Sequence, residues 1–296
     1  MHRFLPDNLV LDGVKICSIA SGSNGNAYYV EYRDEAIVVD VGVSFRKFFQ
    51  RMSSRGLDIR KIRAVLISHE HSDHVYGVKG LCHRYQVPAF MSRGTLKGLK
   101  IKYRPESGCI KLFETGDTLS VGNFKIHTFA KPHDVEDPCS FRVEVAGVNI
   151  GIMTDIGADC QELDTHLSQC HVAFLEANYD EKMLRDGSYP QELKHRIVSG
   201  RGHLSNIQSA DIVRKLNPPK LHTILLSHIS QENNKPELAM AAFEEFKSSR
   251  SIRVMSRHEA SDLMLVTDSS CKSVPAQIEI PDRLDRPNLQ LEFNFQ

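Results

Sequence analysis

The segment SHEHSDH, residues 68–74, gathers three histidines and an aspartate within six positions. Buried imidazoles and carboxylates need partners to offset their lost hydration, so a hydrophobic core has no use for this combination. A solvated loop could carry these residues, but nothing would then require this order. Imidazole nitrogens and carboxylate oxygens bind zinc, and they also suit manganese and iron. The segment therefore predicts a metal site, and the donor types alone do not identify the metal.

The strand predicted at 64–68 runs directly into this segment. His69 and His71 are two positions apart, so in extended backbone their side chains can point the same way. Asp73 and His74 lie at the start of a predicted helix, where side chains take another direction. One short segment can therefore supply two ligands to each of two neighbouring metal ions.

Further donor residues follow apolar strands predicted later in the chain. His133 follows one such strand, and Asp155 and His228 end two others. An acid or imidazole that closes an apolar strand is poorly placed for packing but well placed at the rim of a sheet. Taken alone, each of these residues is better explained by a structural role than by metal binding. After the cluster and in this order, the three are interpreted as the remaining ligands of a two-metal centre.

Short strands and helices are expected around these residues. The turn ASGSNGN at 20–26 matches no phosphate-binding glycine motif and is interpreted as a hairpin turn. Helical spacing predicts helices at 44–54, near 75–82, at 206–216 and at 236–246. Apolar and alternating runs predict strands at 14–19, 28–32, 36–42, 64–68, 87–90, 109–113, 124–129, 140–145, 149–155, 172–177 and 220–228, and two short strands before residue 267. This order predicts two β-rich halves with helices outside them.

Residues 1–267 are interpreted as the catalytic domain and residues 268–296 as a C-terminal extension. The last residues, NLQLEFNFQ, alternate apolar and polar side chains, which predicts a strand at 288–295. Such a strand must bury its apolar face. We therefore expect it to join a sheet edge of its own subunit or of a neighbour in a homo-oligomer.

The composition is that of an ordinary soluble globule, with 41% hydrophobic and 25% charged residues. Thirty-seven basic residues balance 37 acidic ones, so only a local patch could favour a nucleic-acid partner. Seven scattered cysteines without a C-x-x-C pair indicate no disulfide framework and suit a reducing cytoplasm. No apolar run reaches the roughly 20 residues that span a bilayer, and the first residues lack the apolar core of a signal peptide. We expect a cytoplasmic protein without a membrane partner.

The order H-x-H-x-D-H, a lone histidine, an aspartate after an apolar strand and a final histidine resembles the metallo-β-lactamase superfamily over residues 14–267. The resemblance implies an αββα four-layer sandwich, in which two mixed β-sheets flanked by helices hold two divalent ions (zinc, manganese or iron) at one edge. It implies that one ion is bound by His69, His71 and His133. The other ion is bound by Asp73, His74 and His228, and Asp155 bridges the two. Asp40 in VVDVG corresponds to an aspartate that supports the site without binding metal.

The segments ASGSNGN, SHEHSDH, LEANYD and GHLSN together resemble most closely the YycJ/WalJ group, whose members are implicated as DNA exonucleases acting from the 5′ end. In RGHLSN, residues 201–206, His203 corresponds to a nonmetal histidine of phosphodiesterase branches. Asp155 stands where enzymes that destroy β-lactams commonly carry cysteine. Only 72 residues separate Asp155 from His228, too few for the domain inserted in β-CASP nucleases.

The resemblance implies a hydrolase that cleaves phosphodiesters of DNA. Two ions about 3.5–4 Å apart hold a bridging hydroxide and neutralise phosphate oxygens, and Asp73 and Asp155 take part as catalytic ligands. His203 is the expected proton donor to the leaving oxygen. Because DNA requires positive side chains, we assign binding roles to basic stretches at 91–104 and 182–201. The residues predicted to bind substrate are Arg185, Lys194, Arg201 and Ser205.

Two other functions fit part of these observations. A thioester or lactone hydrolase of the same fold would use an identical ligand set and would differ at His203 and in the basic segments. A non-hydrolytic diiron redox protein usually carries an acid at one cluster position and an attached flavin domain, whereas this sequence has His71 and no such domain. A purely structural protein would leave seven metal-type side chains without a purpose.

Overall fold

Runs rich in β-branched and aromatic residues form strands because these side chains pack well on a pleated surface. The computed structural model describes residues 13–274 of the chain. Its strands are β1 (Val14–Ala20), β2 (Ala27–Tyr32), β3 (Glu35–Val39), β4 (Ile62–Leu66), β5 (Ala89–Ser92), β6 (Ile110–Phe113), β7 (Thr118–Val121), β8 (Phe124–Ala130), β9 (Cys139–Val145), β10 (Val148–Met153), β11 (Val172–Glu176), β12 (Thr223–Ser227), β13 (Ser251–Val254), β14 (Leu263–Val266) and β15 (Cys271–Val274).

The helices are short, and several begin at a side chain that accepts a hydrogen bond from the first turn. They are α1 (Phe45–Ser54), α2 (Ser72–Val75), α3 (Val78–Tyr85), α4 (Arg93–Gly98), α5 (Gln161–Leu167), α6 (Glu181–Asp186), α7 (Gln191–Val198), α8 (Asn206–Leu216) and α9 (Pro236–Ala242). Ser205 and Gln208 form a reciprocal capping box at the start of α8. This box fixes where the GHLSN segment turns into helix.

The strands form two sheets that pack face to face. One sheet has the order β15-β14-β1-β2-β3-β4-β5-β6, and the other has the order β13-β12-β11-β10-β9-β8-β7. Apolar side chains fill the layer between them, where the ring centroids of Tyr28 and Phe174 are 4.8 Å apart. Helices α1 and α3 cover the outer face of the first sheet, and α5, α8 and α9 cover that of the second. This arrangement confirms the predicted αββα fold class.

Parallel pairing brings the ends of several strands to one edge. Strands β3 to β6 run parallel in the first sheet, and β10 to β13 run parallel in the second. Asp40 follows β3, the histidine cluster follows β4, Asp155 follows β10 and His228 follows β12. The carboxyl ends of parallel strands are the usual place for a ligand site, because connecting loops meet there.

Within residues 13–274, each predicted strand and helix overlaps an observed one, but the sequence patterns missed several elements. Strands β7 and β15 and helices α4 to α7 were not predicted. The missed helices are six to eight residues long, and most of their side chains are exposed, so their apolar periodicity is weak. The predicted basic stretch at 91–104 contains one of them, α4.

The first sheet continues beyond the predicted domain boundary at Thr267, because β15 pairs antiparallel with β14. The strand predicted at 288–295, and with it the expected contact between subunits, lies outside the described residues. Within residues 13–274, no helix has the length and apolar character needed to cross a bilayer.

Gly42 allows the chain after β3 to touch the turn that carries the histidine cluster. A Cβ atom at Gly42 would lie 1.6 Å from the Asp73 carbonyl oxygen, which already accepts a hydrogen bond from the Asn26 amide. Gly42→Ala should therefore lower the free energy of unfolding by about 3 kcal/mol, the upper end of overpacking costs. Gly108→Ala is the matched control, because its Cβ would meet no atom within 4 Å. Urea denaturation checks this, and equal stabilities of the two variants would contradict it.

His166 gives the protein a pH-dependent stability that is independent of the strand-end cluster. Its ring stacks on Phe129 with centroids 4.1 Å apart, and burial, aided by Arg142, lowers the pKa of His166 to about 4. Since the unfolded histidine titrates near pH 6.5, the stabilisation is complete above that pH and is lost as the pH falls towards 4. Between about pH 7.5 and pH 5, the free energy of unfolding should fall by roughly 2 kcal/mol more in the wild type than in His166→Gln. Equal losses in urea denaturation would refute this.

Candidate active site

Three strands end in a residue with left-handed backbone that turns its side chain towards the same edge. These residues are Asp40, Asp155 and His228, with φ angles of 59°, 57° and 56°. Left-handed backbone costs a non-glycine residue about 1–2 kcal/mol, and it persists where surrounding contacts hold it in place. Such strain concentrates at functional sites, so the fold accepts unfavourable backbone here to aim three side chains.

One group of donors consists of His69, His71 and His133. The Nε2 atoms of His69 and His133 lie 3.2 and 3.4 Å from Nδ1 of His71. All three donor nitrogens lie within 4.8 Å of one another. His69 and His133 are almost fully buried. Three imidazole nitrogens that converge on one point form a suitable cradle for a transition-metal ion.

A second group surrounds the carboxylate of Asp155. Its Oδ2 atom lies 3.2 Å from Nε2 of His74 and 2.8 Å from Nδ1 of His228, and its Oδ1 atom lies 4.0 Å from Nε2 of His133. Asp73 adds an oxygen 3.5 Å from Nε2 of His74 and 4.0 Å from Nε2 of His228. The two oxygens of Asp155 therefore face different histidine groups.

The buried charge of this region fits divalent cations. Asp40, Asp155 and Glu176 are at most 2% exposed, and across residues 13–274 none of them forms an ion pair with lysine or arginine. Buried carboxylates without positive partners are strongly unfavourable. Asp134 pairs with Arg196 through one oxygen, and its other oxygen, 3.5 Å from Nε2 of His133, is buried without a hydrogen-bond partner in the described part of the chain. Nitrogen and oxygen donors around unbalanced negative charge are suited to metal binding.

The protonation states follow from burial and from these carboxylates. Burial lowers the pKa of His69 and, opposed by Asp155, lowers the pKa of His133 to about 3, so both rings are neutral and have a lone pair available. At His74, burial opposes the charged form, but Asp155 and Asp40 outweigh it and raise the pKa well above its ordinary value. Positive charge is therefore favoured between the acids.

Asp40 lies behind His74 and fixes the ring. Its Oδ2 atom is 2.7 Å from Nδ1 of His74, and its Oδ1 atom accepts a hydrogen bond of 2.8 Å from the Ser68 amide. The Ser68 hydroxyl donates to Oδ2 as well. Holding Nδ1 in this way leaves Nε2 pointing towards Asp155, and such carboxylate–histidine pairs orient metal-binding rings in many sites.

Glu176 is a site residue that the sequence analysis missed. Its Oε2 atom accepts hydrogen bonds from the backbone amides of Ile156 (2.7 Å) and Leu204 (3.3 Å), and its Oε1 atom accepts one of 2.8 Å from Nδ1 of His203. One fully buried carboxylate thus joins the segment of Asp155 to that of His203. The available signal was an acid that ends the apolar strand VAFLE, the same pattern that drew attention to Asp155.

Asn26 is a second missed residue. Its side-chain amide lies 3.1 Å from Nε2 of His74 and 3.5 Å from the Asp73 carboxylate. The turn at 20–26 is a hairpin turn, as predicted, but it also packs against the donor cluster. ASGSNGN is one of the segments that carry the family resemblance, but its residues alone do not indicate this second role, because the role depends on the pairing of β1 with β2.

His203 faces both histidine groups from one side. Its ring centroid lies 5.5 Å from that of His133 and 5.1 Å from that of His228, and its side chain is 21% exposed. Burial opposes protonation, but the Glu176 carboxylate outweighs burial and raises the pKa of His203 above its ordinary value. Glu176 binds Nδ1, so Nε2 is the ring nitrogen left for another partner.

The residues predicted to bind substrate are largely engaged within the protein. The Lys194 ammonium donates to the carbonyls of Arg185 and Gly187, and Arg201 donates to the carbonyl of His133. The Ser205 hydroxyl is fully buried in the helix cap. Within the stretch 91–104, Arg93 and Lys97 pair with Glu114 and Glu136. These contacts give the side chains structural roles and provide no support for substrate binding by Lys194 or Ser205.

Comparisons with known proteins agree with this geometry. Residues 35–229 match the family model described as a beta-lactamase superfamily domain. The chain is 33% identical over 230 residues to the exodeoxyribonuclease WalJ of Streptococcus pneumoniae serotype 2 (strain D39 / NCTC 7466), which covers 77% of this chain and 86% of that protein. It is 27% identical over 252 residues to the exodeoxyribonuclease YycJ of Bacillus anthracis, covering 84% and 95%. The metallo-beta-lactamase fold protein YhfI of Bacillus subtilis shares the fold at a TM-score of 0.65 and 16% identity, covering 84% and 99%.

Donor atoms of His203 and Glu176 also lie within 4.8 Å of those of Asp155 and His228, so metal analysis of variants is needed to tell the metal ligands from their neighbours. His133→Ala removes a buried nitrogen from the three-histidine group, so the purified variant should lose at least one metal ion per chain. His203→Ala should keep the wild-type metal content, because Nδ1 of His203 is bound to Glu176. The exposed His195 supplies a control variant, His195→Ala. Elemental analysis after gel filtration measures this, and metal loss from His203→Ala would instead identify a ligand.

Proposed function

The chain belongs to the beta-lactamase superfamily and is a hydrolase of that superfamily, and on this premise we propose that it is a two-metal phosphodiesterase that degrades DNA as a 5′–3′ exonuclease. The observation that carries the proposal is the similarity to two proteins named exodeoxyribonucleases over 77% and 84% of the chain. The convergent donor groups and the His203–Glu176 pair supply the chemistry that such an activity needs.

The two donor groups would hold the ions as the family resemblance implies. His69, His71 and His133 would bind one ion, while Asp73, His74 and His228 would bind the other, and Asp155 would contact both. When bound, two divalent ions lower the pKa of a coordinated water and offset the charge of phosphate oxygens. The protein itself contributes the positions of these side chains, which Asp40, Ser68 and the left-handed strand ends fix.

His203 would donate a proton to the leaving oxygen. Its Nε2 atom has no hydrogen-bond partner among residues 13–274, its Nδ1 atom is held by Glu176, and the carboxylate favours the protonated ring that an acid requires. A positioned general acid typically contributes 10²–10⁴-fold to the rate. Glu176 would act as a positioning residue, since it binds His203 and also the backbone next to Asp155.

Exposed side chains beside the site support a nucleic-acid substrate. Tyr76, two residues after His74, is 54% exposed, and Ile101 is 83% exposed between Lys100 and Lys102. The Tyr76 and Tyr103 rings lie 5.7 Å apart, which places the two segments side by side. Aromatic rings stack on bases and lysines attract phosphates, so this surface suits a single strand better than a thioester or lactone.

The proposal is tested by metal analysis together with cleavage of DNA labelled at either end. Wild-type protein should release nucleotides from the 5′ end, and chelation or Asp73→Ala should abolish the activity. His203→Ala should lower kcat by about 10²-fold or more with its metal retained, while the control His195→Ala should resemble the wild type. A metal-loaded protein that hydrolyses thioesters or lactones and leaves every DNA end intact would show that the substrate has been wrongly assigned.

A further inference from the structure

Arg257 follows β13 at the edge where the donor residues collect. Strands β10 to β13 are parallel neighbours, and the first three lead into Asp155, Glu176 and His228. Arg257 lies three residues beyond the end of β13. A cation thus continues the row of ionisable groups at the carboxyl ends of this sheet, next to the strand that carries His228.

The Arg257 guanidinium lacks the partners that neighbouring arginines have. Its Nε and Nη1 atoms are buried, and neither has a hydrogen-bond partner among residues 13–274. By contrast, Arg51 and Arg55 donate to carbonyls of the 257–260 segment, and Arg253 donates to the Ser273 hydroxyl. Buried donors without acceptors are rare, because each loses its hydrogen bonds to water and gains none within the protein. Residues 13–274 therefore provide no acceptor for these two nitrogens.

The Cβ atom of Arg257 lies close to Gly22, in the turn that contacts the donor cluster. A Cβ atom at Gly22 would lie 3.2 Å from Cβ of Arg257 and 3.4 Å from the Ile229 carbonyl oxygen, which directly follows His228. The Gly22 amide donates to Asn26, whose side chain lies 3.1 Å from Nε2 of His74. Arg257 is therefore connected to the candidate metal centre by three successive contacts, through Gly22 and Asn26 to His74.

The surroundings of Arg257 leave its charge uncompensated. Tyr189 and the exposed Glu232 are the titratable groups that act on it, and within the described chain no carboxylate lies within 4.0 Å of its nitrogens. Burial lowers the pKa of the guanidinium. Asn233, next to Glu232, is 1% exposed and also has both side-chain polar atoms without partners in residues 13–274. Orphaned polar groups thus collect around the 229–235 loop.

We propose that Arg257 binds a phosphate group of the substrate strand adjacent to the phosphodiester that is cleaved. The planar guanidinium presents paired N–H groups that match two phosphate oxygens, and such charge-assisted pairs are among the strongest hydrogen bonds in proteins. The inference rests on the proposed function and names a position on the substrate that the donor cluster alone does not specify. The phosphate is either an internal phosphodiester of the strand or its terminal monoester.

Binding of fluorescently labelled single-stranded DNA, measured by anisotropy in an Asp73→Ala background, tests this inference without requiring cleavage. Arg257→Gln should raise the Kd at least tenfold, and Arg257→Lys should raise it less, because charge remains but the paired N–H groups are lost. Arg253→Gln is the matched control, because Arg253 lies within β13 and donates to the Ser273 hydroxyl, and its Kd should stay within about twofold of the wild-type value. If Arg257→Gln raises the Kd only for 5′-phosphorylated DNA, Arg257 binds the terminal phosphate. If it raises the Kd equally for 5′-hydroxyl DNA, Arg257 binds an internal phosphate.

Three further readouts separate this role from a structural one. Arg257→Gln should leave the thermal midpoint and the metal content unchanged, because its buried nitrogens hold no partner in residues 13–274. In the otherwise wild-type protein, hydrolysis of the small diester bis(p-nitrophenyl) phosphate should also be unchanged. An unaltered Kd, or a large drop in the thermal midpoint, would overturn the inference. Arg257-dependent DNA binding by a wild-type protein that cleaves no DNA would support the phosphate site and refute the exonuclease.

Discussion

The arrangement of the candidate site depends on carboxylates that are buried at the ends of parallel strands. Asp40, Asp155 and Glu176 are removed from water without a lysine or arginine beside them in the described chain. Such an arrangement is stable only when histidines and cations balance it. The surrounding imidazoles and the Ser68 hydrogen bonds stabilise these carboxylates. The left-handed strand ends hold the Asp40, Asp155 and His228 side chains in position. Stability and chemistry therefore depend on the same charges.

The site belongs to neither sheet alone. The first sheet provides Asp40 and the cluster at 69–74, and the second provides Asp155, Glu176 and His228. The apolar layer between the sheets holds these two sets of donors at a fixed separation, because interiors are close-packed and do not deform gradually. Close backbone contacts among Gly42, the 20–26 turn and Asp73 fix the positions of these loops of the first sheet relative to one another. A mixed sandwich can thus assemble a centre from residues far apart in sequence.

Much of this arrangement could be predicted from the sequence. Strands that run into His, Asp or a His cluster mark the edge of a sheet, since such residues are poorly suited to a core. The order of these residues indicated the superfamily. Glu176 shows the limit of that reasoning: it also ends an apolar strand, but a single acid carries no information about its partners. Asn26 and Arg257 were not predicted as site residues, because their positions depend on strand pairing and loop packing.

The roles predicted for the substrate residues remain predictions, and the structure shows only what these side chains contact within the protein. Lys194 and Ser205 belong to segments that flank the site, but their polar atoms are used in backbone contacts. Sequence position cannot distinguish a lysine that caps a loop from one that meets a ligand. The hydrogen bonds of each side chain within the protein do distinguish them. Among residues 13–274, two buried nitrogens of Arg257 have no partner, whereas Arg51 and Arg253 each donate to one.

The Glu176 carboxylate has an evolutionary consequence. Because one side chain holds the backbone after Asp155, the backbone after His203 and the His203 ring itself, a mutation there damages two loops simultaneously. Neither loop can drift alone without misplacing the other. Changes of sequence are therefore tolerated best where side chains are exposed and hold no loop together, as over much of 181–201.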